Sequence, residues 1–122
     1  SIKEAVKKLE RNNPNLLYCV VKLGRRGSKI FFKNGKTGRL DSLKIPAIPV
    51  KTLADTLGAG DAYDAGFLLG VLKGLGPKEA GLLGTGVASK VIQGPGSQSI
   101  IPSRKDVLEN LARHGYRITI PA

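Results

Sequence analysis

Asp55-Thr-Leu-Gly-Ala-Gly-Asp61-Ala-Tyr-Asp-Ala-Gly-Phe-Leu68 is the most informative stretch of this 122-residue chain. Gly58, Ala59 and Gly60 fall where a loop turns into an apolar helix. Small residues there let consecutive backbone N–H groups converge on one point, and the positive end of the helix adds to their pull. Such a turn forms an anion hole suited to the charge on a transferring phosphoryl group. Asp61 stands at the mouth of the same helix, where a carboxylate can accept the proton of an attacking hydroxyl. Anion site and base thus come from four successive residues. Asp64 follows one helical turn after Asp61, close enough for the two charges to interact, or it is a solvated surface acid.

Downstream of this stretch, Ala62 to Leu75 carries apolar residues on nearly every side (Ala65, Phe67, Leu68, Leu69, Val71, Leu72), which predicts a central, buried helix. Gly74 to Pro77 breaks it, and Pro77 suits the first position of a second helix running to about Gln93. Gly81, Gly84 and Gly86 weaken that helix, so close packing against a ligand or another backbone is the expected compensation. Gly94-Pro-Gly96 ends it. Ser103 caps a last helix to His114, with Gly115 at its stop, and Arg117 to Ile120 reads as a strand. His114 has no partnered Ser or Cys; as a cation in the last turn of a helix it reads as structural.

Upstream, Ile2, Ala5, Val6 and Leu9 have helical spacing, and Asn12-Asn13-Pro14 stops that helix. Leu16 to Val21 is a near-continuous apolar run, as in a strand covered on both faces of a parallel sheet. Gly24 to Gly27 is a turn. Lys29 to Lys33 reads as a strand, followed by the Asn34-Gly35 hairpin signal. Further strands are expected around Arg39 to Leu43 and Ala47 to Val50, with Pro46 and Pro49 marking edges. Strands followed by helices predict an α/β layer arrangement in a single domain over residues 1–122.

Composition narrows the function. Hydrophobic residues at 41% and charged residues at 24% are ordinary for a globular protein. No apolar stretch reaches the roughly 20 residues that cross a bilayer and no leader opens the chain, so a soluble, cytoplasmic protein without a membrane partner is expected. The chain has no methionine, so Ser1 is not expected to be a native start. Cys19, the one cysteine, lies in an apolar run and reads as a small buried hydrophobe. Twenty Lys and Arg against 9 Asp and Glu leave a net charge of +11, which calls for an anionic partner. A nucleotide, a phosphorylated metabolite or an acidic part of the same protein would answer that charge; nucleic acid is not expected, because the charges are scattered and accompanied by only three Phe, three Tyr and no Trp.

Asp-Thr-x-Gly-Ala-Gly-Asp, then three residues and Ala-Gly-Phe-Leu, resembles the C-terminal signature of the ribokinase-like (PfkB) sugar kinases at every defined position. The resemblance implies the C-terminal part of a three-layer α/β/α fold and ATP-dependent phosphorylation of a sugar or nucleoside hydroxyl. It implies that Asp61 is the catalytic base and that the amides of Gly58, Ala59 and Gly60 form the anion hole. Lys22-Leu-Gly24-Arg-Arg-Gly27 is similar to the family's Leu-Gly-x-x-Gly turn, whose glycines let backbone approach the nucleotide phosphates. Lys22 stands where the family often has Thr, and either contacts a phosphate or faces solvent. Arg25 and Arg26 either screen the triphosphate or are solvated turn residues. Leu83-Gly-Thr-Gly-Val-Ala-Ser89 matches the small-residue helix beside the adenine, placing Thr85 and Gly86 near the base. Gly94-Pro-Gly-Ser97 corresponds to a loop that, with Asp55 and the carbonyl of Leu57, holds a monovalent cation such as K+ in several members; otherwise Asp55 only orders its loop.

The resemblance covers roughly Leu16 to Leu111. The family's lid strands, Gly-Gly sugar motif and the Asn-x-x-Glu that organises Mg2+ have no counterpart here, so the sugar site is expected to come from parts not in this chain. Two readings follow: part of a kinase that is inactive as this chain alone, or a non-catalytic nucleotide-binding or scaffold module. The intact Asp61 favours the first. A truncated sheet would also expose an apolar edge and promote self-association.

Overall fold

A computed structural model describes residues 1–49, 59–92 and 102–122. Helix α1 (Ile2–Asn12) begins at Ser1, whose hydroxyl accepts from the Glu4 N–H at 3.3 Å. Three strands follow: β1 (Tyr18–Lys22), β2 (Ser28–Lys33) and β3 (Leu40–Ile45), in the order β1-β2-β3. Both pairings are antiparallel, with Val20 opposite Ile30 and Ile30 opposite Leu43. The parallel sheet expected around Leu16 to Val21 is therefore corrected. The connections Leu23–Gly27 and Asn34–Arg39 are too short for the crossover a parallel pair requires. The hairpin at Asn34-Gly35 forms as a wider loop, with Gly38 rather than Gly35 at positive φ (+70°). Its first residue organises it: Asn34 Oδ1 accepts from the Lys36 and Thr37 amides, and its amide donates to Asp41.

Three helices complete the described chain: α2 (Ala59–Leu72), α3 (Pro77–Ile92) and α4 (Arg104–Arg113). Helices α2 and α4 end alike. The N–H of Leu75 bonds the Gly70 carbonyl and that of Gly74 the Val71 carbonyl, and Tyr116 with Leu111 and Gly115 with Ala112 repeat the pattern. Both Gly74 (φ +81°) and Gly115 (φ +88°) take the left-handed conformation that this stop requires. Ala47–Pro49 and Arg117–Ile120 form no strand; Tyr116, Ile118 and Ile120 instead lay alternate side chains on the core.

Alternation along the strands makes a layered α/β structure. Ile30 and Ile45 face the helical side, where they join Tyr63, Phe67, Leu75, Leu83, Val107 and Leu111 in one buried cluster. Phe31 is buried on the opposite face, where with Cys19 it lines a narrow cleft shared with Val6 of α1. Cys19 itself is half-buried.

The centre of the molecule is α3, not α2. Every residue from Ala80 to Gly86 is buried, and its three glycines meet three different neighbours. A methyl group at Gly81 would strike Ile30 (2.6 Å) and Ile45 (2.8 Å) of the sheet. At Gly84 it would press on the Tyr63 carbonyl (3.0 Å) of α2, and at Gly86 on Leu111 and Val107 (3.0 Å) of α4. Helix α2 buries one face through Tyr63, Gly66, Phe67 and Gly70 and leaves Leu68, Leu69 and Leu72 exposed, the last at 82%. The expectation that α2 is buried all round is thus corrected: α3 covers a single side of it.

Candidate functional site

The end of the sheet formed by Lys22 and Ser28 carries the first turn of α2. These two residues are direct cross-strand partners, so they share a face, and both reach the helix. The Lys22 ammonium donates to the Gly60 carbonyl at 3.1 Å and pairs with Asp64 at 2.6 Å. It also lies 5.7 Å from the centre of the Tyr63 ring, within reach of a cation–π attraction. Beside it, Ser28 Oγ and the Tyr63 hydroxyl share a buried 2.8 Å hydrogen bond. Tyr63 stacks on Phe67 (6.3 Å between centroids), and Tyr18 meets Phe67 edge-on (5.6 Å). Burial pushes the Tyr63 phenol above its ordinary value, the nearby Asp64 charge adds to this, and the Ser28 hydrogen bond works against it.

Asp61 occupies the exposed side of this turn and forms no ion pair among the described residues. The charge on Lys22 is engaged by Asp64 instead. Of the expected anion-site residues, Ala59 and Gly60 lie in the first turn of α2 beside Asp61; Gly58 lies outside the described residues, as do Asp55, Leu57 and the Gly94–Ser97 loop. Asp64 is neither a lone surface acid nor an unopposed neighbour of Asp61. It is the partner of Lys22, and no local pattern links two residues so far apart in sequence.

The turn after β1 holds Gly24 and Gly27 at positive φ (+60° and +88°) around one short 3-10 turn. Gly24 faces open space, whereas a Cβ at Gly27 would overlap the Ile45 carbonyl oxygen and lie 2.9 Å from the Ala47 nitrogen. The missing side chain at Gly27 lets the end of β3 pass. Arg25 and Arg26 are exposed. Thr85 is buried in α3, and the open side of Gly86 is occupied by Leu111 and Val107. A buried polar chain with no local signature runs beside it, from the Asn110 amide to Ser89 Oγ (3.0 Å) and from Ser89 Oγ to the Gly86 carbonyl (2.9 Å). His114 caps the end of α4 with its ring on the Asn110 carbonyl, a structural placement.

A concavity among the described residues lies elsewhere. It is an open groove of about 860 Å³ along Pro14–Tyr18, Phe32–Lys36 and Pro77, at the opposite end of the strands. It contains none of the candidate residues. No helix among the described residues is long and apolar enough to cross a membrane.

The sequence matches the pfkB family carbohydrate kinases over residues 1–104. The chain belongs to that family. Among similar proteins, the nucleoside kinase of Methanocaldococcus jannaschii is 37% identical over 95 residues, covering 78% of this chain and 30% of that kinase. Its crystal structure, that of an archaeal member of the ribokinase family, superposes with a TM-score of 0.73 at 32% identity, covering 87% of this chain and 33% of that one. Arabidopsis thaliana ribokinase, solved with ribose and ATP, gives a TM-score of 0.75 at 31% identity, covering 90% and 33%. The ribokinase-like α/β fold is thereby established. This pfkB-family chain spans about a third of the length of these relatives.

Proposed function

We propose that residues 1–122 form a single domain, the C-terminal nucleotide-binding and catalytic-base portion of a kinase that transfers a phosphoryl group from ATP to a hydroxyl of a sugar or nucleoside. Asp61 is the base. The amides of Gly58, Ala59 and Gly60 receive the developing negative charge, and the helix dipole of α2 reinforces them. Lys22, Gly24 and Gly27 belong to the phosphate side of the nucleotide and Thr85 and Gly86 to its base side, while Asp55 and the Leu57 carbonyl hold a monovalent cation such as K+. The observation that carries this reading is the contact of Lys22 with Gly60 and Asp64, which joins the Lys22–Gly27 turn to the turn of α2 that bears Asp61.

Among the described residues no three His, Cys, Asp or Glu side chains gather where a metal ion could be held. Mg2+ would arrive on the ATP phosphates, whose oxygens suit it. The sugar pocket is supplied by parts outside this chain, the setting is cytoplasmic, and nucleic acid is not a partner. The exposed Leu68, Leu69 and Leu72 on α2 support self-association of the isolated chain. Alone, the chain binds ATP weakly and transfers nothing, because a base without a positioned hydroxyl forgoes most of the roughly 7–11 kcal/mol that orientation contributes.

The test is Asp61→Asn in a kinase that carries this segment. The expected loss in kcat is about two to four orders of magnitude with ATP affinity nearly unchanged. Turnover close to the parent's would contradict the assignment and favour a non-catalytic nucleotide-binding module.

A further inference from the structure

We propose that Lys22 is a positioning residue that adds the Asp61 N–H to the anion site, acting through the Gly60–Asp61 peptide rather than by touching a phosphate itself. The inference rests on the reading that the first turn of α2 receives the phosphoryl group. In a trans peptide the carbonyl and the following N–H point in opposite directions. The Lys22 ammonium holds the Gly60 carbonyl at 3.1 Å, so it fixes the direction of the Asp61 N–H, which a helix aims out of its N-terminal end. A cation on the carbonyl also polarises the peptide and makes that N–H a stronger donor.

The ammonium is itself held. Asp64 pairs with it at 2.6 Å, and the Tyr63 ring lies 5.7 Å away. Tyr63 is in turn fixed by Ser28, the residue directly across the sheet from Lys22. The last residue of β1 and the first of β2 therefore clamp the turn that bears Asp61 at two points, Gly60 and Tyr63. With its charge engaged by Asp64, Lys22 steadies the base's neighbours without pairing with the base.

The experiment is an ATP titration of the 122-residue chain followed by amide and carbonyl NMR, comparing wild type with Lys22→Met and Asp64→Asn. Both side chains are substantially exposed (41% and 55%), so neither substitution opens a core. Lys22→Met is expected to shift the Gly60 carbonyl resonance, to raise the Kd for ATP about two- to fivefold, and to change the Asp61 amide shift at ATP saturation. Asp64→Asn is expected to move the same carbonyl in the same direction by less. If Lys22 only supplied charge to the phosphates, Kd would rise while the saturated Asp61 shift stayed fixed, which overturns the positioning role and leaves the anion site standing. An unchanged Gly60 carbonyl in Lys22→Met overturns it equally. If ATP moves neither the Gly60 nor the Asp61 amide of the wild-type chain, the anion site falls and this inference with it.

Discussion

Helices α2 and α3 meet through small residues on both, yet one is far more buried than the other. Helix α3 is the less apolar of the two in sequence and carries three glycines, yet it is buried on every side from Ala80 to Gly86. Helix α2 is apolar nearly all round, yet Leu68 and Leu72 stand 58% and 82% exposed. Their contact explains the difference. A methyl group at Gly66 would lie 2.9 Å from the Gly84 Cα and the Leu83 carbonyl oxygen, and one at Gly70 would lie 2.9 Å from the Ala80 Cα. Small residues mark where backbones meet and so identify the packed centre. Large apolar residues record only a demand for cover.

That contrast can be broken most severely at the shared surface. Gly66→Val puts branched carbon against the backbone of α3, which cannot retreat because Gly81 already rests on Ile30 and Ile45. The expected loss is about 3 kcal/mol in urea unfolding, near the upper range for overpacking. A loss below about 1 kcal/mol would mean the helices can separate at little cost.

A smaller effect comes from Tyr63, which links α2 to the sheet. Burial raises its folded-state pKa above the unfolded value of 10.0, so the unfolded chain gives up the proton first. The corresponding stability is fully present below pH 10 and is lost as pH rises through the folded value. Tyr63→Phe should remove this alkaline decline while lowering stability at neutral pH, because Ser28 loses its buried partner. A decline of equal steepness in the variant, followed by urea midpoints between pH 8 and 11, would assign it to other groups.

The smallest effect on stability is expected on the outer face. Leu68→Gln with Leu72→Gln should leave the unfolding free energy within about 0.5 kcal/mol of the parent. The same pair should reduce self-association measured by sedimentation. A large loss of stability would show that this face packs within the chain.

What could be read from the sequence was local. Ser103 and Gly115 bound α4 where capping chemistry puts them, and Gly74 stops α2. The proposed phosphoryl-transfer turn was legible as a candidate because that chemistry needs small residues and a carboxylate in immediate succession, and Ala59, Gly60 and Asp61 do open α2. The strand direction was not, since an apolar run reports two covered faces and says nothing of its neighbours' polarity. The Lys22–Asp64 pair and the Asn110–Ser89–Gly86 chain were hidden for a related reason: each joins residues from different elements, and nothing at either position announces the other.

We propose that nucleotide binds where β1 meets α2. An ATP titration of the isolated chain, read residue by residue from amide resonances, tests it directly. The largest changes are expected at Gly60, Asp61 and the Lys22–Gly27 turn. Changes confined to the groove of Pro14–Tyr18 and Phe32–Lys36, or no change at saturating ATP, would contradict it.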